Sequence, residues 1–298
     1  MQKLTKEKYA TYDSWTDYFS DGQVSLKKLF RRNLFDEHNK HDYLEYFDRK
    51  NKHKLKQLLN NYKTKSWNEL FYKLLDNEKT KKIEEHLSKE VKKLGSNHMY
   101  PLPELLFNAF HLTHLINLSV VIIGQDPYFN SEEIGETYCP QAMGLSFSIP
   151  VDIAIPSSLQ NIYKNLIKYK HIEEMPKNGN LESWALQGCL MLNSSLTVLD
   201  GSNNKNCHQH IWKWFTDEII RYISNNTEKV VFVLWGNDAL NKMPMIDLDK
   251  HEVVVSSHPS GFSVDKPLKN YPSFKDCDHF GKINDYLKKW KKPVIRWI

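Results

Sequence analysis

Four short apolar runs recur along the second half of the chain, and stretches with helical spacing separate them. The runs are "VVIIGQDPY" (120–128), "CLMLNSSLTV" (189–198), "VVFVLWGND" (230–238) and "VVVSSHPSG" (253–261). Between them, "PSSLQNIYKNLIKY" and "HIWKWFTDEIIRYI" repeat apolar residues at helical intervals. Strands that alternate with helices predict an α/β domain with a mainly parallel sheet, whose strands are buried on both faces.

Upstream of these runs the pattern is helical and then weakens toward the N-terminus. Trp67, Leu70, Phe71, Leu74 and Leu75 form an apolar stripe, and a second stripe predicts a helix up to a stop at Gly95. "PLPELLFNAFHLTHLI" predicts a further helix with proline near its first turn. Residues 1–60 are rich in Lys, Asn, Tyr and His, and we expect one or two marginal helices or partial disorder there.

Composition narrows the classes of protein. Hydrophobic residues make up 40% of the chain, which is enough for a core, and no run is apolar and long enough to span a membrane. The N-terminus lacks the apolar stretch of a signal peptide, so we expect an intracellular protein that is not secreted. The four scattered cysteines favour free thiols in a reducing compartment over a disulfide framework or an iron–sulfur cluster.

Positive charge is concentrated at the N-terminus. Residues 1–60 hold 13 Lys and Arg against 9 Asp and Glu, whereas the remainder holds 28 against 27. We therefore divide the chain into a basic N-terminal extension, 1–60, and a main domain, 61–298. Such an extension is compatible with extra contacts to DNA or a partner. It is also compatible with a loosely ordered solubilising segment, and its mixed charge favours this second interpretation.

Polar residues of chemical interest follow each of the four apolar runs. Asp126, Asn193, Gly236 and His258 each stand where a predicted strand ends. Ligands of open α/β sheets bind beyond the carboxyl ends of the strands, so these residues are expected to meet at one edge. Loops are polar in general, but four such ends that include a carboxylate, an amide and an imidazole favour a functional site.

Five stretches of the sequence also identify a family. "GQDPY", "QAMGLSFS", the "LTV" after Asn193, "FVLWG" and "HPS" stand in an order similar to that of family-1 uracil-DNA glycosylases. The resemblance runs from about Ser66 to the C-terminal "KKPVIRWI" and leaves the first 60 residues outside. It implies an α/β single domain with a central four-stranded parallel sheet flanked by helices. It also implies hydrolysis of the N-glycosidic bond of a flipped-out deoxyuridine, which releases uracil and leaves an abasic site during base excision repair.

The resemblance implies roles for the residues of the pocket. Asp126 matches the catalytic aspartate, whose charge stabilises an oxocarbenium-like sugar and orients the attacking water. His258 matches the histidine that donates a hydrogen bond to uracil O2, preferably as a neutral imidazole. The uracil-binding residues that it implies are Gln125, Tyr128, Phe147 and Asn193. Asn193 reads the O4 and N3–H of uracil, Phe147 stacks on the base, and Tyr128 excludes the methyl group of thymine.

The resemblance also implies loops that grip the DNA backbone through small residues. The wedge that fills the gap left by the flipped base is usually a leucine, and here we assign it to Phe262. The other expected DNA contacts are Pro156, Ser157, Ser158, Gly236, Asn237, Ser260 and Ser263.

The chain departs from the family pattern in several places. Position 129, usually a histidine, is Phe, which could lower activity or shift its pH dependence. The stretch "NSEEIGETYCP", residues 130–140, is longer than usual, "IPSSL" has fewer prolines, and "VDKPLKNYPSFKDCDHF" is expanded. None of these removes Asp126, Asn193, Phe147 or His258, so we predict an active enzyme.

Other functions remain open at this point. A metal-dependent nuclease would use Asp126, His208, His210 and His258, but the carboxylate clusters of such sites are missing. A serine hydrolase would need a G-x-S-x-G turn, which the chain lacks. A third alternative is a weakly active or inactive DNA-binding module of a replication complex. For the glycosylase we expect no cofactor and no metal, and a monomer without a membrane partner. Its expected substrate is single- or double-stranded uracil-containing DNA, and replication or repair proteins are possible further partners.

Overall fold

The computed structural model describes residues 4–9, 11–34, 67–94, 98–134 and 137–297. Its strands are β1 Met99–Tyr100, β2 Val120–Gly124, β3 Ser131–Ile134, β4 Thr137–Pro140, β5 Cys189–Asn193, β6 Val198–Leu199, β7 Val231–Trp235 and β8 Glu252–Ser256. Its α-helices are α1 Lys6–Tyr9, α2 Trp15–Tyr18, α3 Leu26–Leu34, α4 Asn68–Leu75, α5 Glu78–Lys93, α6 Asn108–Leu112, α7 Ser157–Lys168, α8 Glu182–Leu186, α9 Gln209–Asn226, α10 Asn237–Leu240 and α11 His279–Lys289. Short 3-10 helices lie at Pro103–Leu105, Leu115–Asn117, Ser202–Asn204, Met243–Met245 and Phe274–Asp276.

The predicted sheet is present and fully parallel. Its strand order is β5-β2-β7-β8, with β2 between two neighbours that follow it much later in the chain. Every residue of β2, β5 and β7 is buried, as expected for apolar strands covered by helices on both faces. The expected α/β class with a central four-stranded sheet flanked by helices is therefore confirmed.

One predicted helix is broken into pieces. "PLPELLFNAFHLTHLI" folds as a 3-10 turn, the short helix α6 and a second 3-10 turn. Tertiary hydrogen bonds account for the break: the Nε1 of Trp67 donates to the carbonyl of Thr113 at 2.8 Å, and the Thr113 hydroxyl donates to the carbonyl of Ala185 at 2.9 Å. These bonds hold Thr113 in extended backbone, where a continuous helix would require helical dihedral angles.

The described part of the N-terminal segment packs into the main core, although we expected a loosely ordered extension. Tyr9 and Trp15 are buried, and their polar atoms donate to the carbonyls of Ala142 at 2.5 Å and of Pro101 at 2.8 Å. Phe30 also lies in the core. The proposed boundary between residues 60 and 61 lies outside the described residues.

The stretch that is longer than usual after the "GQDPY" motif forms an antiparallel pair, β3 and β4. Glu132 of β3 connects two distant segments: one carboxylate oxygen accepts from the backbone of Ala154 at 2.8 Å, and the other lies 3.2 Å from the Lys6 ammonium. Thr5 and Val151 form a parallel β-bridge beside it. The pair β3–β4 and the N-terminal segment thus support the chain that leads into helix α7. None of the helices in the described ranges is long and apolar enough to cross a membrane.

Candidate active site

The carboxyl ends of the sheet strands bring the predicted pocket residues to one edge. Gly124 and Asn193 end β2 and β5 as direct partners, and Trp235 and Ser256 end β7 and β8 in the same way. The loops that follow carry Asp126 and His258 among others. Hydrogen bonds and ring contacts link these loops to one another.

Asp126 is partly buried and is held by the backbone of a distant turn. The Asn206 N–H donates to its Oδ2 at 3.1 Å. Burial raises the pKa of the Asp126 carboxyl above its usual value, and the nearby Asp238 charge raises it further, while the Asn206 hydrogen bond and the Lys205 charge lower it. The Asn206 hydrogen bond therefore fixes the orientation of the carboxylate.

His258 is held in one neutral tautomer. The Ser260 backbone N–H donates to Nδ1 at 3.0 Å, so Nδ1 is an acceptor and the ring proton belongs on Nε2. Burial lowers the pKa of His258 to about 4, and the Lys205 charge acts in the same direction. At neutral pH the side chain is therefore an uncharged donor through Nε2–H.

Asn193 lies deep in the pocket because its neighbouring strand ends in glycine. The Asn193 side chain is 8% exposed. A Cβ at Gly124 would collide with the Asn193 Oδ1 and with the Ser146 side chain, so only glycine at 124 permits this approach. Gln125 follows at once and is partly buried, with its carbonyl accepting from Ser195 N at 2.9 Å.

Phe147 connects the Asp126 loop with the His258 loop. Its ring centroid lies 5.8 Å from that of His258 and 5.4 Å from that of Trp235. The Tyr128 hydroxyl donates to the Phe147 carbonyl at 3.4 Å. Phe147 adopts a left-handed φ of 62°, which is uncommon for a bulky residue and is a feature of functional sites. Burial raises the pKa of Tyr128, which therefore stays uncharged.

The predicted DNA-contacting loops are neighbours. Pro156 precedes helix α7, whose Asn161 side chain donates to the Pro259 carbonyl at 2.8 Å. Gly236 has a φ of 92°, and a Cβ there would lie 3.0 Å from the Cβ of His258. Among the remaining expected contacts, Ser157 and Ser158 begin helix α7, Asn237 begins α10, and Ser260, Phe262 and Ser263 lie on the loop after β8. All six are exposed or partly buried.

Phe262 stands out among these residues because its side chain is 89% exposed, and Gly261 beside it has open space around its Cα. The Ser260 carbonyl accepts from the backbone of Ser263 at 2.9 Å, and the Ser257 hydroxyl donates to the Ser263 carbonyl. Hydrogen bonds therefore hold the backbone of this loop, while the apolar ring of Phe262 is exposed to solvent.

Three residues near the pocket were not anticipated from the sequence. Asn206 and Lys205 belong to the turn before helix α9, and Asp238 lies on α10. No local pattern distinguishes them, since "NNKN" is typical of a polar turn, and only the fold brings them to Asp126.

The histidines of "CHQH" are arranged differently from a metal site. His208 is buried with its Nδ1 2.8 Å from the Thr197 hydroxyl, and burial lowers its pKa to about 4. His210 is exposed and faces the ring of His86. In the part of the chain that the structure describes, no three His, Cys, Asp or Glu residues are grouped to hold a metal ion.

Comparisons with known proteins agree with the geometry. Residues 110–288 match the model of the uracil DNA glycosylase superfamily. The chain belongs to that superfamily. A "Probable uracil-DNA glycosylase" of Acanthamoeba polyphaga mimivirus is 38% identical, with 96% of this chain and 70% of that protein covered. A uracil-DNA glycosylase of Psychromonas ingrahamii is 44% identical over 210 residues, which cover 70% of this chain and 89% of the relative.

A solved structure supports the same assignment. The crystal structure of mimivirus uracil-DNA glycosylase matches with a TM-score of 0.76 and 36% identity, covering 99% of this chain and 96% of that one. A variant of the mimivirus enzyme solved in complex with UGI matches with a TM-score of 0.77. The predicted class of enzyme, a uracil-DNA glycosylase that hydrolyses N-glycosyl bonds, is confirmed by these matches at superfamily level.

Proposed function

We propose that the chain is a family-1 uracil-DNA glycosylase in which Asp126 and His258 carry the chemistry. The observation that carries this proposal is the fixed orientation of both groups: Asn206 holds the Asp126 carboxylate, and Ser260 holds the His258 ring with its Nε2–H available to a ligand. Phe147 and Asn193 lie at the same sheet edge. Such an arrangement supplies an anion and a neutral donor, as glycosidic cleavage requires.

Cleavage develops positive charge on the sugar and negative charge on the departing base. Asp126 stabilises the sugar cation and accepts a proton from the attacking water, while His258 donates a hydrogen bond to uracil O2 as the base leaves. A neutral imidazole is sufficient for this role, because His258 keeps its proton on Nε2 when uracil binds and donates it only in the hydrogen bond. The pKa of His258, lowered to about 4, ensures this form at neutral pH.

Selection of uracil rests on shape and on hydrogen bonds. The Asn193 amide offers a donor to O4 and an acceptor to N3–H; cytosine presents the reversed pattern and would leave buried groups unpaired. Tyr128, tied to the Phe147 carbonyl, occupies the space that a thymine methyl would need. Phe147 provides the aromatic surface for the base, and Gln125 completes the pocket beside them.

The substrate is DNA with the uracil rotated out of the helix. Pro156, Ser157, Ser158, Gly236, Asn237, Ser260 and Ser263 contact the backbone, and the exposed Phe262 fills the space vacated by the base. We further propose that the chain acts as an intracellular monomer on uracil-containing single- or double-stranded DNA, alongside replication or repair proteins. The free cysteines of the described residues are consistent with a reducing compartment.

Uracil release separates this proposal from an inactive DNA-binding module. We expect the purified chain to release free uracil from an oligonucleotide with a single deoxyuridine and to leave a matched thymidine oligonucleotide intact. Asp126→Asn should lower kcat by about 100- to 1,000-fold, the loss expected for a charge acting in the transition state, without weakening DNA binding. An unsubstituted chain that binds the oligonucleotide but releases no uracil would refute the proposal.

A further inference from the structure

A turn that precedes helix α9 reaches the catalytic carboxylate. Asn206 in this turn has a left-handed φ of 62°, a conformation that Asn tolerates better than most residues. Its neighbours fix the turn: Cys207 N donates to the Asn204 carbonyl at 3.0 Å, and Gln209 N donates to the Asn206 carbonyl at 3.1 Å. The Asn206 N–H then donates to Asp126 Oδ2. The residue is therefore anchored on both sides and placed against Asp126.

The Asn206 side chain has an acceptor with no use in the fold. Its Oδ1 is buried and has no hydrogen-bond partner among the described residues. A buried acceptor without a partner destabilises a protein, and such atoms in native structures generally bind water or a ligand. An unpaired oxygen on the residue that holds the catalytic carboxylate indicates a function at the reacting centre.

Phe129, which follows Tyr128, supplies no polar group that could hold a water beside Asp126. Phe129 packs against the small cluster of Tyr100, Ala142 and Val198, which lies beside Cys207 of the same turn. A phenyl ring neither donates nor accepts a conventional hydrogen bond. A water beside Asp126 therefore needs a second polar contact from another residue.

We infer that Asn206 is a positioning residue that holds the attacking water together with Asp126. This inference rests on the proposed function. The Asp126 carboxylate and the Asn206 Oδ1 accept the two O–H groups of one water, so a lone pair of its oxygen faces C1′. Attack forms the bond from this oxygen to C1′. The C1′–N1 bond breaks with its electron pair leaving on uracil, and the water proton passes to Asp126.

Asn206→Gly tests this role with little disturbance of the turn. Glycine adopts the left-handed conformation readily and keeps the backbone N–H that binds Asp126, so only the amide is lost. We expect kcat on a deoxyuridine oligonucleotide to fall about 10- to 100-fold, as for a misplaced reactant, with KM changed less than about twofold. The affinity for free uracil, measured as product inhibition, should not change, because uracil binding does not use the water.

The control is Asn203→Gly, the same change at an exposed position in the same segment, which should leave kcat unchanged. The pH at which activity of Asn206→Gly declines on the acid side should also stay in place, since the hydrogen bond to Asp126 is retained. An active parent enzyme with a normal kcat in Asn206→Gly would overturn the inference. So would a parallel loss of uracil affinity, or a shifted acid limb, because either result indicates a general role in shaping the pocket. A parent enzyme that releases no uracil would refute the proposed function instead.

Discussion

Two exposed charges of opposite sign act on the Asp126 carboxyl from outside the pocket. Lys205 lowers the pKa of Asp126, and Asp238 raises it. Lys205 also lowers the pKa of His258, so one ammonium favours the ionised aspartate and the neutral histidine together. In the proposed mechanism Asp126 must be ionised to stabilise a sugar cation, so its pKa determines where activity is lost as the pH falls.

Substitution of these two charges should move the acid limb of the kcat–pH profile in opposite directions. In Lys205→Gln the pKa of Asp126 rises, the carboxyl is protonated at higher pH, and the limb moves up. In Asp238→Asn the pKa falls and the limb moves down. Both shifts should shrink at high salt, because the Debye length is only about 3 Å at 1 M ionic strength. Profiles at low salt that move in the same direction, or that both stay in place, would contradict this account.

At the scale of elements, the sequence predicted the strands and the meeting of their carboxyl ends, because apolar runs and the residues that follow them are local signals. Asp126, Asn193 and His258 were predicted as pocket residues in this way. The supports of the site were not, because they depend on contacts between distant segments. Glu132 is an example: its carboxylate joins residue 6 to residue 154 across the approach to helix α7, and nothing in "NSEEIGETYCP" indicates either partner.

Two substitutions of Glu132 should separate its hydrogen bond from its charge. Glu132→Gln keeps an acceptor for Ala154 N and loses only a partly exposed ion pair, so the free energy of unfolding should fall by less than about 1 kcal/mol. Glu132→Ala also removes the hydrogen bond to the exposed Ala154 N–H, which should cost about a further 0.5–1.5 kcal/mol and raise KM for DNA by loosening the chain before Pro156.

Urea unfolding and KM measurements would test this difference, with the exposed Glu133→Ala as control. Equal effects of the Gln and Ala substitutions would show that the charge, and not the hydrogen bond, supports the loop.

At the scale of the whole molecule, the N-terminal segment is part of the core in the residues that the structure describes. The sequence did not predict this because the segment lacks a long apolar stripe and contributes single aromatic side chains at irregular spacing. Trp15 is buried and stacks with Phe19, and Phe30 stacks on Phe71 with ring centroids 4.0 Å apart. Aromatic side chains bury large apolar areas, so a few of them are enough to attach the segment.

Trp15→Ala should therefore destabilise the entire molecule. Loss of a buried aromatic side chain typically costs about 3–5 kcal/mol, and here the Nε1–H bond to Pro101 is lost as well. The free energy of unfolding from urea titration measures the effect. Tyr72→Ala, at a position 53% exposed, is the matched control and should change stability by less than about 1 kcal/mol. A Trp15→Ala protein as stable as the control would show that the segment is attached only loosely.

The strand order has a consequence for biosynthesis. β2 emerges from the ribosome long before β5 and β7, the strands that cover its two edges. A nascent chain that ends within helix α9 therefore contains a β2 strand with one unpaired, apolar edge just before Asp126, and such an edge is prone to aggregation. Because β8 and His258 are translated after β2, β5 and β7, the proposed pair of Asp126 and His258 is complete only after β8 has been made. Chaperone binding to stalled chains should accordingly decline once β7 has been translated.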